Sequence, residues 1–211
     1  MTLPVRDYDK CVFVNCPFDE EYEPLLQAIL FCLVRFGLRP RIATERNQAG
    51  ETRLQKIIEL IEASKYSIHD LSRCQAKAEG EHYRLNMPFE LGLDIGCRQF
   101  GQDHSDKQIL MMEEQKYRYQ ASISDLAGVD IVAHGAKLDV VIRKVRNWLV
   151  SQGGFDPVAA AKVQSEYEDF QGWHYTTQVI AGFREDDIKD YPTAELLAAM
   201  IEWEKSGRPR G

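Results

Sequence analysis

The stretch Cys11-Val-Phe-Val-Asn15 is the first of several short apolar runs in the chain, and it decides the fold class. An apolar run of this length is typical of a strand that is buried on both faces, as the strands of parallel sheets are. After a polar turn, residues 20–36 repeat apolar side chains at three- and four-residue steps, which predicts a helix that stops at Gly37. A buried strand followed by an amphipathic helix is the beginning of a β-α-β unit.

The same alternation of strand and helix continues along the chain. The sequence predicts further strands at 38–43, 66–70, 108–112 and 129–133, and further helices at 51–64, 87–100 and 136–151. Polar segments at 45–50 and 73–85 are predicted to be loops. This order indicates an α/β fold, a flavodoxin-like three-layer sandwich with a five-stranded parallel sheet of order 2-1-3-4-5.

A glycine- and proline-containing break at 151–157 marks the expected domain boundary. It separates an α/β domain at 1–152 from a small helical C-terminal extension at 153–211, in which helices are predicted at 157–170, 172–182 and 192–205. The extension is too short to bury a core of its own. We therefore expect it to pack on the sheet domain or on a second subunit. We also expect the protein to form a homo-oligomer or to bind a partner protein through these helices.

Composition narrows the classes of partner. The net charge of −7 argues against non-specific binding to nucleic acid or to an anionic membrane surface. No apolar run reaches the roughly eighteen residues of a membrane span, and the polar N-terminus does not look like a signal peptide. Five cysteines without a Cys-x-x-Cys pair predict reduced thiols rather than a disulfide framework or a zinc site. We expect a cytoplasmic protein whose site uses no metal and no resident cofactor.

The carboxyl ends of strands 1 and 3 are where this fold binds ligands, because the strand order reverses there. Several familiar ligand motifs are missing from these turns: no phosphate-binding Gly-x-x-x-x-Gly-Lys-Ser/Thr loop and no Gly-x-Gly-x-x-Gly fingerprint follows any predicted strand. The acidic residues of a phosphate-accepting receiver domain and the Ser/Thr/Gly-rich loop of a flavin site are missing after strand 1 as well. The edge is instead acidic and polar.

The segment Asn86–Gly92 (NMPFELG) opens the predicted helix 87–100 at this same edge. Asn86 is a good N-cap, and Pro88 suits a first helical turn. Glu90 then lies near the positive end of the helix, which favours its ionised form. The carboxylate is either a helix-terminal charge or a reagent that attacks or stabilises the anomeric carbon of a sugar, as in cleavage of a glycosidic bond.

A nucleotide-type ligand suits the residues predicted around Glu90. Three side chains at the ends of strands 1 and 3 could hold ribose hydroxyls: Asn15, Asp70 and Ser72. Phe18 could stack on a base, and Arg53 could meet a phosphate. For Asp70 a capping or turn role is the alternative, and His69 inside its strand is interpreted as a satisfied sheet histidine. The predicted substrate-binding set comprises Asn15, Cys16, Phe18, Asp19, Asp70, Ser72, Asn86 and Arg53.

Four ordered segments carry a resemblance to known proteins. They are VFVNCPFD at 12–19, SIHDLS at 67–72, NMPFELG at 86–92 and SDLAG at 124–128. Together they resemble a group of bacterial proteins related to nucleoside 2-deoxyribosyltransferases and to TIR (Toll/interleukin-1 receptor) domains, two families that share a flavodoxin-like core. The resemblance covers roughly residues 10–150.

The resemblance implies a role for Glu90. The segment Phe89–Gly92 is similar to the one that carries the transferase nucleophile, and TIR enzymes need a glutamate on the corresponding helix to cleave NAD between nicotinamide and ribose. The implied function is an N-glycosidase or N-ribosyltransferase acting on NAD, a nucleotide or a nucleoside, as an effector of antiviral defence in bacteria. Arg84–Met87 stands where the transferases have an aspartate and a Gly-Thr pair, and Asn86 stands where TIR enzymes usually have tryptophan. The substrate therefore stays open.

Two other functions remain open at this point. The site could recognise a nucleotide without breaking it, which would make the protein a sensor or an interaction module. Alternatively, the polar edge could be incidental and the C-terminal helices an oligomerisation arm.

Overall fold

A five-stranded, all-parallel sheet forms the centre of the protein, for which a computed structural model describes residues 7–45, 50–75 and 84–209. Its order is β2-β1-β3-β4-β5, and each neighbouring pair is parallel. The strands are β1 (Cys11–Asn15), β2 (Arg39–Ile42), β3 (Tyr66–Asp70), β4 (Gln108–Glu113) and β5 (Val132–Ala133). The predicted flavodoxin-like α/β fold and its strand order are confirmed.

Helices cover both faces of the sheet. They are α1 (Glu23–Arg35), α2 (Arg53–Glu62), α3 (Asn86–Phe100), α4 (Leu138–Ser151), α5 (Ala160–Ile180), α6 (Glu185–Lys189) and α7 (Thr193–Lys205). Helices α1 and α4 pack together on one face, and α2 and α3 pack together on the other. The predicted loops at 45–50 and 73–85 lie largely outside the described residues.

The C-terminal helices complete the core on the α1 side. The ring of Phe31 in α1 lies 5.2 Å from that of Tyr167, 5.6 Å from that of Phe170 and 5.6 Å from that of Trp203, measured between centroids. Trp203 is fully buried, and its indole N–H donates to the carbonyl of Pro209 at 2.8 Å. Of the two expected locations for the extension, the structure shows packing against the helices of the sheet domain.

Three predicted elements, one strand and two helices, differ from the structure. Strand β5 has two residues rather than the predicted 129–133, because only Val132 and Ala133 pair with β4 while a bend at Val129 precedes them. The predicted helices 157–170 and 172–182 are one helix, α5, that runs through Gly172. Gly172 is exposed there, and buried side chains recur at helical spacing on both sides of it: Val163, Tyr167, Phe170, His174 and Gln178. Tertiary packing thus overrides the local cost of glycine.

None of the helices in the described part of the chain is long and apolar enough to cross a membrane. All five cysteines are free thiols, four of them buried and Cys97 partly exposed.

Candidate functional site

Glu90 is the fifth residue of α3, at the edge formed by the carboxyl ends of β1 and β3, and only 5% of its surface is exposed. Burial raises the pKa of its carboxyl group, while the charge of Arg53 opposes the shift. The guanidinium Nη2 of Arg53, at the start of α2, lies 3.6 Å from Oε1 of Glu90, and the Arg53 side chain is mostly exposed. The structure thus brings together two predicted site residues, a buried acid and an exposed cation.

The start of α3 differs from the predicted cap. Asn86 is the first residue of the helix, the capping position is Leu85, and no side chain accepts a capping hydrogen bond there. Asn86 is exposed, and Pro88 lies in the first turn as predicted. The prediction that Asn86 caps the helix is wrong, because α3 begins at Asn86 itself, one residue before the predicted start at residue 87.

Asn15 anchors the first turn of α3 from the end of β1. Its amide nitrogen donates to the carbonyl of Met87 at 2.9 Å and contacts Nδ1 of His69 at 3.0 Å. Both Asn15 and Met87 are buried. A residue predicted to bind ribose therefore also holds the backbone that carries Glu90.

Behind Asn15 lies a buried polar network that sequence reasoning missed. Nε2 of His69 lies 2.9 Å from Oδ2 of Asp94, and the other carboxylate oxygen forms an ion pair with Nζ of Lys107 at 3.1 Å. All three side chains are fully buried. Burial alone would raise the pKa of Asp94, but His69 and Lys107 outweigh it and the pKa is lowered. Asp94 follows Glu90 by four residues, so helical spacing could have placed the two carboxylates on one face.

Asp70 and Ser72 belong to a second network at the end of β3. One oxygen of Asp70 accepts from the backbone N–H and the hydroxyl of Ser72, and the other accepts from Tyr22 at 2.5 Å and lies 2.9 Å from Nε2 of His134. Burial opposes ionisation of Asp70, yet these hydrogen bonds lower its pKa. The hydrogen bond from the backbone N–H of Ser72 to the Asp70 side chain is typical of a turn, so Asp70 has the turn role that was predicted as its alternative.

The second network does not have the layout of a nucleophilic triad. Nδ1 of His134 accepts from the backbone N–H of Ala136 at 3.1 Å, so the ring proton sits on Nε2, which faces Asp70. Nε2 also lies 3.1 Å from Oγ of Ser72. A protonated ring nitrogen cannot take a proton from the serine hydroxyl, so this histidine is not the base of a serine nucleophile.

The remaining predicted residues line the turn after β1. Asp19 accepts from the Tyr22 backbone at 3.1 Å and forms ion pairs with Arg73 at 3.2 Å and Arg84 at 2.9 Å. Burial alone would raise the pKa of Asp19, but the hydrogen bond and the charge of Arg73 contribute to a pKa that is lowered overall. Cys16 is buried, and burial together with the nearby carboxylates raises its thiol pKa well above the usual value. Phe18 is 43% exposed.

Two clefts open elsewhere on the described surface. One, about 210 Å³, lies at the carboxyl ends of β4 and β5 and is lined in part by Glu113, Tyr117 and Ile131. The other, about 260 Å³, lies between α2 and α3, with Ile58, Leu93 and Cys97 among its lining residues. Glu90 lines neither of them. The candidate site therefore rests on the buried carboxylate and its partners, which are chemically specific, and not on cavity size.

In the described ranges, no group of three or more His, Cys, Asp or Glu side chains is arranged to hold a metal ion. No protein-family model matches the chain, and no curated protein matches it significantly.

Proposed function

We propose that the protein is an N-glycosidase or N-ribosyltransferase that breaks the bond between a base and C1′ of ribose in NAD, a nucleotide or a nucleoside. The observation that carries the proposal is the burial of the Glu90 carboxylate at the carboxyl edge of the sheet, with an exposed cation, Arg53, 3.6 Å away. Buried charge is costly, and perturbed carboxyl groups concentrate at functional sites.

Glu90 would act on C1′ as the base departs. As the C–N bond breaks, the base leaves with the electron pair and positive charge develops on the ribosyl carbon. An ionised carboxylate in poorly hydrated surroundings stabilises that charge strongly or closes on it as a nucleophile. In a hydrolase, water would then bond to C1′ and lose a proton, which releases the ribosyl product: ADP-ribose from NAD, a ribose phosphate from a nucleotide or ribose from a nucleoside. In a transferase, a second base would take the ribosyl group.

Neighbouring residues supply binding groups of the right kind. Arg53 presents an exposed guanidinium that suits a phosphate, and Phe18 presents an exposed aromatic face that suits a base. Asn15 lies at the same edge and holds the turn that carries Glu90. The oxygens of Asp70 are occupied by internal hydrogen bonds, so we assign it and Ser72 to supporting the edge rather than to ribose contacts.

The proposal extends to setting and assembly. The family resemblance supports a cytoplasmic role in bacterial defence against phage. Exposed apolar side chains on the C-terminal helices support assembly with a second copy or a partner protein, with Ile180 at 81% and Val179 at 48% exposed.

The direct test compares wild type with Glu90→Gln on NAD and on a panel of nucleosides and nucleotides, with released bases separated by liquid chromatography. We expect wild type to release nicotinamide or a free base and Glu90→Gln to be slower by at least about 10³-fold, the scale of removing a central catalytic group. Glu113→Gln is a matched control, because Glu113 is also a buried carboxylate with a pKa raised by burial at the same sheet edge. It should keep its activity.

The non-catalytic alternative has a distinct outcome. The ion pair with Arg53 could satisfy Glu90 without chemistry, and the site would then bind a nucleotide and leave it intact. Calorimetry would show saturable binding with no base released, and Glu90→Gln would lose affinity rather than rate. Equal behaviour of wild type and Glu90→Gln in both assays would remove Glu90 from either function.

A further inference from the structure

A line of buried hydrogen bonds runs from the middle of α3 back to its first turn. Asp94 contacts His69 at 2.9 Å, His69 contacts Asn15 at 3.0 Å, and Asn15 donates to the carbonyl of Met87 at 2.9 Å. The three side chains are at most 2% exposed. We use the name α3 relay for Asn15, His69 and Asp94.

The direction of each hydrogen bond in the relay is determined. Because a carbonyl only accepts, the Asn15 atom that faces Met87 must be the amide nitrogen, and the same nitrogen faces Nδ1 of His69. Nδ1 is therefore the acceptor of the ring. The proton sits on Nε2, which donates to Asp94, so the carboxylate fixes the tautomer that Asn15 requires.

The relay ends at the backbone that carries Glu90. In an α-helix the carbonyl of Met87 accepts from the amide of Leu91, so Asn15 adds a second donor to a carbonyl in the turn that contains Glu90. Asp94 itself is fixed by the buried ammonium of Lys107, which also donates to the carbonyls of Ile61 and Ser64. The first turn of α3 is thus tied to β1, β3 and the end of α2.

We propose that His69 and Asp94 are positioning residues, which set through Asn15 where the carboxylate of Glu90 lies relative to a bound ribosyl group. The proposal deepens the proposed function and rests on it for its kinetic consequence. Its structural consequence, a first turn of α3 that is held by the relay, can be measured without a substrate. Positioning of this kind matters because a displacement of about 1 Å at a reacting group can cost about 100-fold in rate.

Two substitutions at His69 separate polarity from packing. His69→Gln keeps one donor for Asp94 and one acceptor for Asn15, whereas His69→Met fills a similar volume with neither. Met200→Ala serves as a control for general destabilisation, because Met200 is fully buried in α7 and belongs to the cluster on the opposite face of the sheet. Amide hydrogen exchange at Glu90 and Leu91, followed by NMR, reports on the turn.

In His69→Met we expect the two amides to exchange at least about tenfold faster than core amides such as that of Val14, since local opening then exceeds global opening. His69→Gln should stay near wild type, and Met200→Ala should change all amides together. With a substrate of the wild type in hand, His69→Met should lower kcat by about 100-fold with a smaller change in KM, and His69→Gln should restore most of the rate.

The outcomes separate the two proposals. If exchange at Glu90 and Leu91 follows the core amides in both His69 variants, the relay does not position the turn and the inference is overturned. If His69→Met loosens the turn while wild type releases no base from any substrate, the relay stands and the proposed function fails. If His69→Gln loosens the turn as much as His69→Met, volume and not polarity matters, and the tautomer argument is wrong.

Discussion

Helices α1 and α3 lie on opposite faces of one sheet, yet only α3 buries charged side chains. Helix α1 buries nine of its thirteen residues, all of them apolar, because the sheet covers one side of it and the C-terminal helices cover the other. Helix α3 buries four of fifteen, and two of those are the carboxylates Glu90 and Asp94. Its phenylalanines, Phe89 and Phe100, are 55% and 85% exposed.

The difference shows which helix is explained by stability alone. Burial of apolar surface accounts for α1 without any further role. Burying two carboxylates while exposing two aromatic rings does not lower the free energy of folding, so α3 departs from the pattern that would stabilise it. Such departures are expected at functional sites.

The largest effect is expected on the α1 side. Trp203→Ala should lower the free energy of unfolding by about 3–5 kcal/mol, because it removes a fully buried indole that packs on Phe31 and Phe170. Urea denaturation would measure it. Phe100→Ala, a matched aromatic truncation on α3, should stay within about 0.5 kcal/mol of wild type. A loss below about 1 kcal/mol in Trp203→Ala would mean that α7 is not part of the core.

A smaller loss is expected at the polar edge. Asp70→Asn should cost about 2–3 kcal/mol at pH 7, since it removes a buried charge that accepts several hydrogen bonds. Because the pKa of Asp70 is lowered in the folded protein, the stability it contributes is present above its unfolded pKa, about 3.9, and is lost as pH falls through the lower folded value.

Urea denaturation of wild type and Asp70→Asn at pH 7 and pH 3 would show this as a gap that narrows in acid. A gap of the same size at both pH values would indicate that shape rather than charge is what Asp70 contributes.

The smallest effect has the opposite sign. Glu90→Gln should raise the free energy of unfolding at pH 7 by about 1 kcal/mol, since strained functional residues commonly cost stability. The pKa of Glu90 is raised by burial, so the folded state disfavours its ionised form. The gain should therefore disappear below the unfolded pKa of about 4.3, where the carboxyl group is protonated in both states.

Thermal unfolding of both proteins between pH 4 and pH 8 measures this difference. A Glu90→Gln variant that is less stable than wild type at pH 7 would show that the ion pair with Arg53 outweighs the cost of burial, as a helix-terminal charge would.

The fold could be predicted from the sequence because apolar runs indicate buried strands and apolar residues at helical spacing indicate helices. The run at Cys11–Asn15 is short and apolar enough to indicate a buried strand, and the alternation of strands and helices that follows it implies the parallel sheet. The ends of the strands and helices were harder to predict from the sequence. The length of β5 depends on which residues pair with β4, and the continuity of α5 through Gly172 depends on packing against α1 and α7.

Site residues could be predicted only where the order of strands and helices determines at which edge of the sheet they lie. Glu90 and Arg53 could be placed at one edge from the order of elements, and they are 3.6 Å apart. The α3 relay could not be predicted in full, because Asp94 and His69 are 25 residues apart in the sequence. The four-residue spacing from Glu90 indicates the helix face on which Asp94 lies, but not the side chain that it contacts. For the same reason, His134 was not connected to Asp70.

The closure of α1 by Trp203 also has a consequence during synthesis. Phe31 and Trp203 are separated by about 170 residues, so at roughly 5–20 residues per second the ribosome needs some 10–30 seconds to deliver the second ring after the first. Throughout that interval the cover of α1 is incomplete, because Tyr167 and Phe170 of α5 are synthesised before Trp203 but pack on the same ring as it does. The nascent chain should therefore be a client for chaperones that hold apolar helices, until α7 leaves the exit tunnel and packs on α1.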